Sequence, residues 1–436
     1  MSTTNIRNML EQSIRLWNPW WAEKKMPENL KGLPRKATLS IIKSLGTPHV
    51  KDIIGIRRSG KTTILYQVAS HLIDIGEVPK DILFLNFDDP TINQISLDEI
   101  LTEVYKINPN VKFLFLDEIQ QKEGWERWVR TLYDTQQFTQ IFISGSSASL
   151  LSQDIGRVLS GRHITFKITP FSFLEYLEKM GWEIFEPEYL IHNRKQILHY
   201  QKKYLEEGGF PEVIGMDEFN QKKILTSLYN DIIARDITSR FGASYELAGK
   251  SSQLMINNIA GEYSYNSVAK SADIAVETAE KYIGYLKESL LIMDLPVFSF
   301  KLRRQFKQNK KTYPVDMGIR NAASFRFTSD MGKLAETAVL LELDRRGDEI
   351  YYWKGKRGFE VDFVVKTGQK IQSLFQVSWD VRDQNTRKRE ERSLCLACEE
   401  FEIFEGIILT EDFEEEVKRD SIKIRYYPLW KWLLRI

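Results

Sequence analysis

The octet Gly55-Ile56-Arg57-Arg58-Ser59-Gly60-Lys61-Thr62 decides how this chain is read, because it has the spacing G-x-x-x-x-G-K-[ST]. A β-branched run over 49–56 leads into it and an apolar-periodic run over 63–75 leads out, so the octet joins a strand to a helix. Its glycines let backbone N–H groups curl around a phosphate, and the following helix aims its positive dipole end at the same anion. In that arrangement Gly55, Arg58, Ser59, Gly60, Lys61, Thr62 and Thr63 surround a nucleotide. Lys61 is expected to reach the β- and γ-phosphates, and Thr62 to ligate Mg2+.

A second run supplies the other half of a hydrolytic site. Lys112-Phe113-Leu114-Phe115-Leu116-Asp117-Glu118 is apolar up to its last two residues, the form of a buried parallel strand with a Walker B end. Asp117 is expected to hold Mg2+ through water, and Glu118 to polarise the attacking water as catalytic base. A further apolar strand, 140–143, ends in Ser144-Gly145-Ser146-Ser147. A hydroxyl there, on Ser144 or Ser146, either senses the γ-phosphate and orients the water or serves only the turn. Together these motifs describe an ATP-hydrolysing P-loop domain.

Composition narrows the rest. The chain has 436 residues, 42% hydrophobic and 28% charged, which suits two or three globular domains. Lys and Arg number 61 against 60 Asp and Glu, so any nucleic-acid surface has to be a local patch. No apolar run approaches the ~18 residues of a membrane span, and no signal peptide is expected. Two cysteines leave no disulfide framework and point to the cytoplasm. Cys395 and Cys398 have C-x-x-C spacing but no second pair to complete a zinc site, so they are read as packing.

On these patterns the chain divides into an N-terminal segment (1–48), a P-loop ATPase core (49–170), a helical lid (171–248), a winged-helix module with a basic run (249–312) and a C-terminal α/β domain (313–436). Within the core, strands at 49–56, 81–87, 112–116, 140–143 and 163–168 alternate with helices, as a layered α/β fold with a parallel sheet requires. Asn18-Pro19-Trp20-Trp21 reads as a packing anchor on that core, with stacking on a base as the alternative, and 31–36 is a basic stretch. Arg162, then Arg157, stands where ring-forming ATPases offer a finger to a neighbour's γ-phosphate, or else is a surface arginine.

The module at 250–300 reads as a short helix, a turn, a longer helix over 276–291 and a strand, the order of a helix-turn-helix with a wing. Its second helix sets Lys281 and Lys287 against Glu277, Glu280 and Glu288. The run after it holds Lys301, Arg303, Arg304, Lys307, Lys310 and Lys311 with no acid, and fits either a phosphate-backbone contact or a solvated loop. Beyond it, a helix carrying Glu336 is followed by strands at 349–354, 359–365 and 371–378.

The motif set as a whole, with Asn18-Pro19-Trp20-Trp21, the phosphate loop, Leu116-Asp117-Glu118-Ile119-Gln120, Ser144-Gly145-Ser146-Ser147, Leu159-Ser160-Gly161-Arg162 and Pro170-Phe171-Ser172-Phe173, resembles an archaeal AAA+-type ATPase. It is similar to the group whose C-terminus is a domain of unknown function related to the PD-(D/E)xK nucleases. The resemblance implies an additional-strand P-loop ATPase (AAA+/ASCE-type), a lid with a winged helix, a nuclease-like C-terminal fold, and homo-oligomers up to a hexameric ring. The C-terminal match departs from the nuclease pattern at its centre. Glu336 and Asp362 fall where the first acids belong, but Gln376 replaces the next acid and Ser378 the lysine, with Lys354, Lys356 and Lys370 nearby.

The function expected from the sequence is an ATP- and Mg2+-dependent oligomeric ATPase that binds and remodels DNA, branched or junction DNA included. The rival is a nucleotide-dependent switch whose partners are proteins. A third reading, an ATP-gated nuclease, would rest on Glu336 and Asp362.

Overall fold

The apolar runs around the phosphate loop become the centre of a sheet. In a computed structural model, which describes residues 3–146, 158–301, 303, 305, 308–324 and 330–436, the chain separates into two units, Met1–Thr169 and Pro170–Ile436. Ser147, Arg157, Arg304 and Lys307 lie outside the described residues.

In the first unit, Val50–Gly55 (β1), Ile82–Asn86 (β2), Phe113–Asp117 (β3), Gln140–Ser146 (β4) and His163–Ile168 (β5) form one sheet in the order β2-β3-β4-β1-β5. Every pairing is parallel. The first four strands are buried throughout, whereas β5, at an edge, is half exposed. Continuous apolar runs are what a parallel sheet covered on both faces demands. All five strands expected from the sequence are present, and the parallel P-loop sheet is the expected fold. Its order has a functional consequence, because β4 is inserted between β1 and β3. The carboxyl ends of three neighbouring strands therefore deliver the phosphate loop, Asp117 and Ser144 to one edge of the sheet.

The opposite edge strand, β2, leaves backbone groups unpaired, a liability that proteins usually cover. Here the N-terminal segment covers it. The Asn18 amide donates to Phe84 O at 2.8 Å and accepts from Phe84 N at 2.7 Å, mimicking one residue of a neighbouring strand. The indoles of Trp20 and Trp21 both donate to Ile82 O, at 3.2 and 2.8 Å. Trp20 has no exposed surface and Trp21 only 6%, so these rings are the packing anchor and the base-stacking alternative is excluded.

The second unit opens with helices over 173–257, including a π-helical stretch, Ile232–Ser239. Next come the short strand Glu262–Tyr263 (β6), the helices Tyr265–Ala272 and Val276–Glu288, then Ile292–Leu295 (β7) and Lys310–Pro314 (β8). The three strands pair antiparallel in the order β6-β8-β7. β7 stops at Leu295, earlier than the apolar run suggests, because Pro296 has no N–H to donate to a ladder.

A six-stranded sheet follows the helix Met331–Arg346. It is built from Glu349–Lys354 (β9), Glu360–Thr367 (β10), Lys370–Val377 (β11), Glu405–Thr410 (β12), Glu415–Arg419 (β13) and Ile422–Pro428 (β14), in the order β13-β14-β12-β11-β10-β9. β11, the helix Gln384–Phe401 and β12 make a parallel crossover. Leu394, Ala397 and Cys398 of that helix pack on Val361, Val364, Leu374 and Ile408, so Cys398 is core. Among the described residues, no helix is long and apolar enough to cross a membrane.

Candidate functional site

The phosphate loop leaves β1 at Gly55, and that residue has to be glycine. A Cβ there would sit 2.3 Å from Ile168 O on β5 and 2.8 Å from Ser59 Oγ. Gly60, at φ +98°, takes the left-handed backbone that turns the loop into the helix Lys61–Asp74. Arg58 is left-handed as well, at φ 64°, without glycine's freedom, and such strain concentrates at ligand-binding loops. Ser59 is fully buried. Thr63, one residue into the helix beyond Thr62, turns its methyl towards Gly32 in the N-terminal segment.

Lys61 is 4% exposed, and its ammonium bonds to Gly55 O at 3.1 Å and Ile56 O at 3.4 Å. It also lies 3.7 Å from Glu118 Oε1. Thr62 Oγ1 donates to Asp117 Oδ2 at 2.8 Å, so the loop and the end of β3 already meet. Asn86, at the end of β2, donates to the same oxygen at 3.2 Å, and Ser144 donates to Asp117 Oδ1. Asp117 is completely buried; burial and the charge of Glu118 hold its carboxyl above the ordinary range. Thr62 and Asp117 offer the hard oxygens that Mg2+ takes, and the donor set fits that ion.

Glu118 sits at φ 53°, a second left-handed residue beside the loop. Burial opposes its ionisation, but the charge of Lys61 and the Gln120 amide keep its carboxylate below the usual value. Ser144 Oγ accepts from Glu118 N at 3.3 Å, so one hydroxyl positions both acids. Ser146 Oγ accepts from the Gln120 amide at 3.5 Å, and the Ser146 backbone N–H supports the Glu118 carboxylate. The structure thus brings Lys61, Thr62, Asp117, Glu118 and Ser144 together, with Ser146 joining through its backbone N–H and Gln120 rather than through a hydroxyl on either acid. Arg162 lies elsewhere, with its Nε on Asp134 Oδ1 at 2.8 Å and its carbonyl bonded to Val50 N. Val50 begins β1, the far end of that strand from the loop.

Sequence reasoning missed Asn86, Gln120 and, in the basic stretch 31–36, Arg35. Arg35 is 6% exposed and donates to Ser59 O at 2.9 Å and Thr169 O at 3.1 Å. A buried arginine in a cationic stretch has no local signal; only the Asn and Gln beside acidic strand ends were visible as candidates.

The basic run of the second unit needs correcting. Lys311, expected on a phosphate backbone, is buried on β8, its ammonium 3.0 Å from Glu336, 2.6 Å from Glu360 and 3.2 Å from Asp362. Lys310 pairs with Asp294 at 3.4 Å. The reason is strand alternation: residues 311 and 313 share a face, and Tyr313 OH donates to Glu336 at 2.5 Å on that same face. Lys301 and Arg303 remain exposed.

The acids of the proposed nuclease reading are therefore already engaged. Burial and the charge of Asp362 push the Glu336 carboxyl well above the carboxylate range, with Lys311 working against them. Gln376 accepts from Asp362 N at 3.1 Å and donates to Glu390 at 2.8 Å. Among the described residues, no group of three or more His, Cys, Asp or Glu side chains is arranged to hold a metal ion.

Comparison with known proteins agrees with the loop geometry. The family description AAA domain matches residues 47–177, and two domains of unknown function, DUF8612 and DUF4143, match 198–330 and 331–432. An uncharacterized protein of Methanocaldococcus jannaschii is 32% identical over 406 residues, 88% of each chain. The chain belongs to the archaeal AAA-type ATPases with a C-terminal DUF4143 domain. The chain is also similar to an uncharacterized protein of Haemophilus influenzae, 26% identical over 89% of this chain and 96% of that one. Among solved structures, the Walker-type ATPase of Pyrococcus abyssi covers 69% of this chain and 97% of its own at 14% identity and a TM-score of 0.44.

Proposed function

We propose that this AAA-type ATPase binds ATP with Mg2+ at the loop over 55–62 and hydrolyses it. The observation that carries this reading is the convergence of Thr62, Asp117, Ser144, Lys61 and Glu118 on one sheet edge. Thr62 and Asp117 would hold Mg2+, which when bound neutralises charge on the phosphate oxygens. Lys61 exchanges its loop carbonyls for the β- and γ-phosphates, and the loop amides with the helix N-terminus cradle the rest. Glu118, kept ionised by Lys61, accepts the proton of the attacking water while Gln120 fixes its orientation. Ser144 holds Asp117 and Glu118 in register. Arg162 is assigned to a neighbour's γ-phosphate in an oligomer, because within its own chain it stands at the other end of β1.

The element order of helix, β6, two helices, β7 and β8 is read as a winged helix, and the six-stranded sheet as a nuclease-like fold without nuclease activity. Two observations favour protein partners over DNA for this unit. Glu277, Glu280 and Glu288 dominate the exposed face of Val276–Glu288, and Lys310 and Lys311 serve internal ion pairs. The DNA-directed reading keeps Lys301 and Arg303 as its phosphate contacts. The test is phosphate release from ATP by the full chain, measured with Mg2+ alone and with single-stranded, duplex and four-way-junction DNA at two salt concentrations. Release that vanishes in Lys61→Ala supports the ATPase reading, and no release overturns it. Stimulation by one DNA form would replace the protein-directed switch with a DNA-directed motor.

A further inference from the structure

Arg35 lies outside every motif that identifies the nucleotide site, yet it is built into the phosphate loop. Its Nη1 bonds to Ser59 O and its Nη2 to Thr169 O, so one guanidinium spans from the loop to the residue after β5. The peptide joining Ser59 to Gly60 is planar and trans, so its carbonyl and its N–H point in opposite directions. Holding the carbonyl towards Arg35 turns the Gly60 N–H away from it, to the side on which loops of this type collect an anion.

The platform under Arg35 is itself fixed. Gln67, on the helix that follows the loop, donates to Lys31 O at 2.6 Å and Leu33 O at 2.7 Å, and accepts from Thr38 Oγ1 at 2.5 Å. One side chain thus ties the backbone before Arg35, and the Thr38 hydroxyl after it, to the helix that begins with Lys61 and Thr62. The guanidinium also lies beside Gly60 itself, where a Cβ would stand in ordinary van der Waals contact with Nη1 at 3.7 Å.

We infer that Arg35 is a positioning residue of the nucleotide site, presetting the Ser59–Gly60 peptide so that its N–H meets the β-phosphate. This rests on the reading of the loop as an ATP site. An amide aimed before binding serves ground state and transition state alike, so its loss raises KM and leaves kcat in place.

The experiment compares full-length wild type, Arg35→Ala, Arg35→Lys and Gln67→Met in calorimetric titration with Mg2+ and ADP, and in steady-state hydrolysis of ATP. Arg35→Ala is expected to weaken ADP binding about tenfold, and Arg35→Lys, which keeps one donor, about threefold. KM should rise with the dissociation constant while kcat stays within about twofold. Partial misfolding would do the reverse, lowering kcat with the active fraction and leaving KM alone. Wild-type affinity in Arg35→Ala, or in Arg35→Lys and Gln67→Met should the alanine variant not fold, overturns the role of Arg35 while the ATP reading stands. Failure of the wild type to bind ADP overturns both.

Discussion

The ammonium of Lys311 lies 3.2 Å from Asp362 Oδ1, joining residues 51 apart in sequence within a pocket that solvent barely reaches. Glu336 and Glu360 close on the same ammonium. Burial works against its charge, but Glu336, Tyr313, Asp362 and Glu360 raise its pKa well above the ordinary lysine value.

Replacing Lys311 by Met leaves the Glu336 and Asp362 carboxylates enclosed without a cation, while Glu360 keeps partial contact with solvent. The expected loss at pH 8 is about 3–5 kcal/mol of unfolding free energy, the usual consequence of removing one partner from a buried pair. The sign of its pH dependence follows from Glu336, whose carboxyl is pushed up to about 7 in the fold by burial and by the charge of Asp362. A carboxyl raised on folding contributes most when protonated, so the variant's deficit should shrink as pH falls from 8 towards 5. Urea unfolding at several pH values measures this, and a deficit independent of pH would show that Lys311 does not neutralise the acids.

Glu118→Gln removes the base but keeps the hydrogen bonds available to Lys61 and Gln120. Hydrolysis should fall by about 10²–10⁴-fold with ATP affinity retained. Single-turnover kinetics beside nucleotide titration separates the two effects, and a normal rate would take Glu118 out of the chemistry.

Asn18→Ala strips the cap from Phe84 on the edge strand β2, leaving a buried N–H and a buried carbonyl without their partner. About 1–3 kcal/mol of stability should be lost, read as a lower urea midpoint at unchanged slope. Faster aggregation should accompany it, because the edge is then open to another strand.

If DNA is a partner, Lys301→Glu with Arg303→Glu should flatten the plot of log affinity against log salt by about two, one per lost phosphate contact. The fold should tolerate the change because both residues are exposed. Lys310 and Lys311 are unsuitable for this test, since their loss disturbs ion pairs inside the second unit.

Asp52, fully buried in β1, accepts from Thr165 at 2.8 Å and faces His163 Nδ1 at 3.2 Å. Its hydrogen bond raises the His163 pKa above 6.5, against some desolvation. The raised value stabilises the fold below pH 6.5, and that contribution disappears as pH rises through the folded value. Titration of His163 by NMR should show a pKa above 6.5, and Asp52→Asn should bring it back down.

By itself the sequence determined the chemistry of the nucleotide site and the elements that carry it. A glycine at 55, the pair Lys61 and Thr62, and acids at the end of an apolar run are local requirements of a phosphate loop, legible without knowing any neighbour. Five apolar runs between helices likewise announced a covered parallel sheet. What the sequence left open was which strands adjoin and which charges meet. Ser144 reaches Asp117 only because β4 lies between β1 and β3. Arg35 sits in a stretch legible only as basic, and Lys311 in a run that reads as a phosphate contact or a solvated loop, yet both are buried. The physical reason is common to the two. Burial of a charge depends on partners brought in by the fold: Thr169 lies 134 residues from Arg35, and Asp362 lies 51 from Lys311. Local composition holds no record of such partners, and only the tertiary structure decides whether a cation faces water or carboxylates.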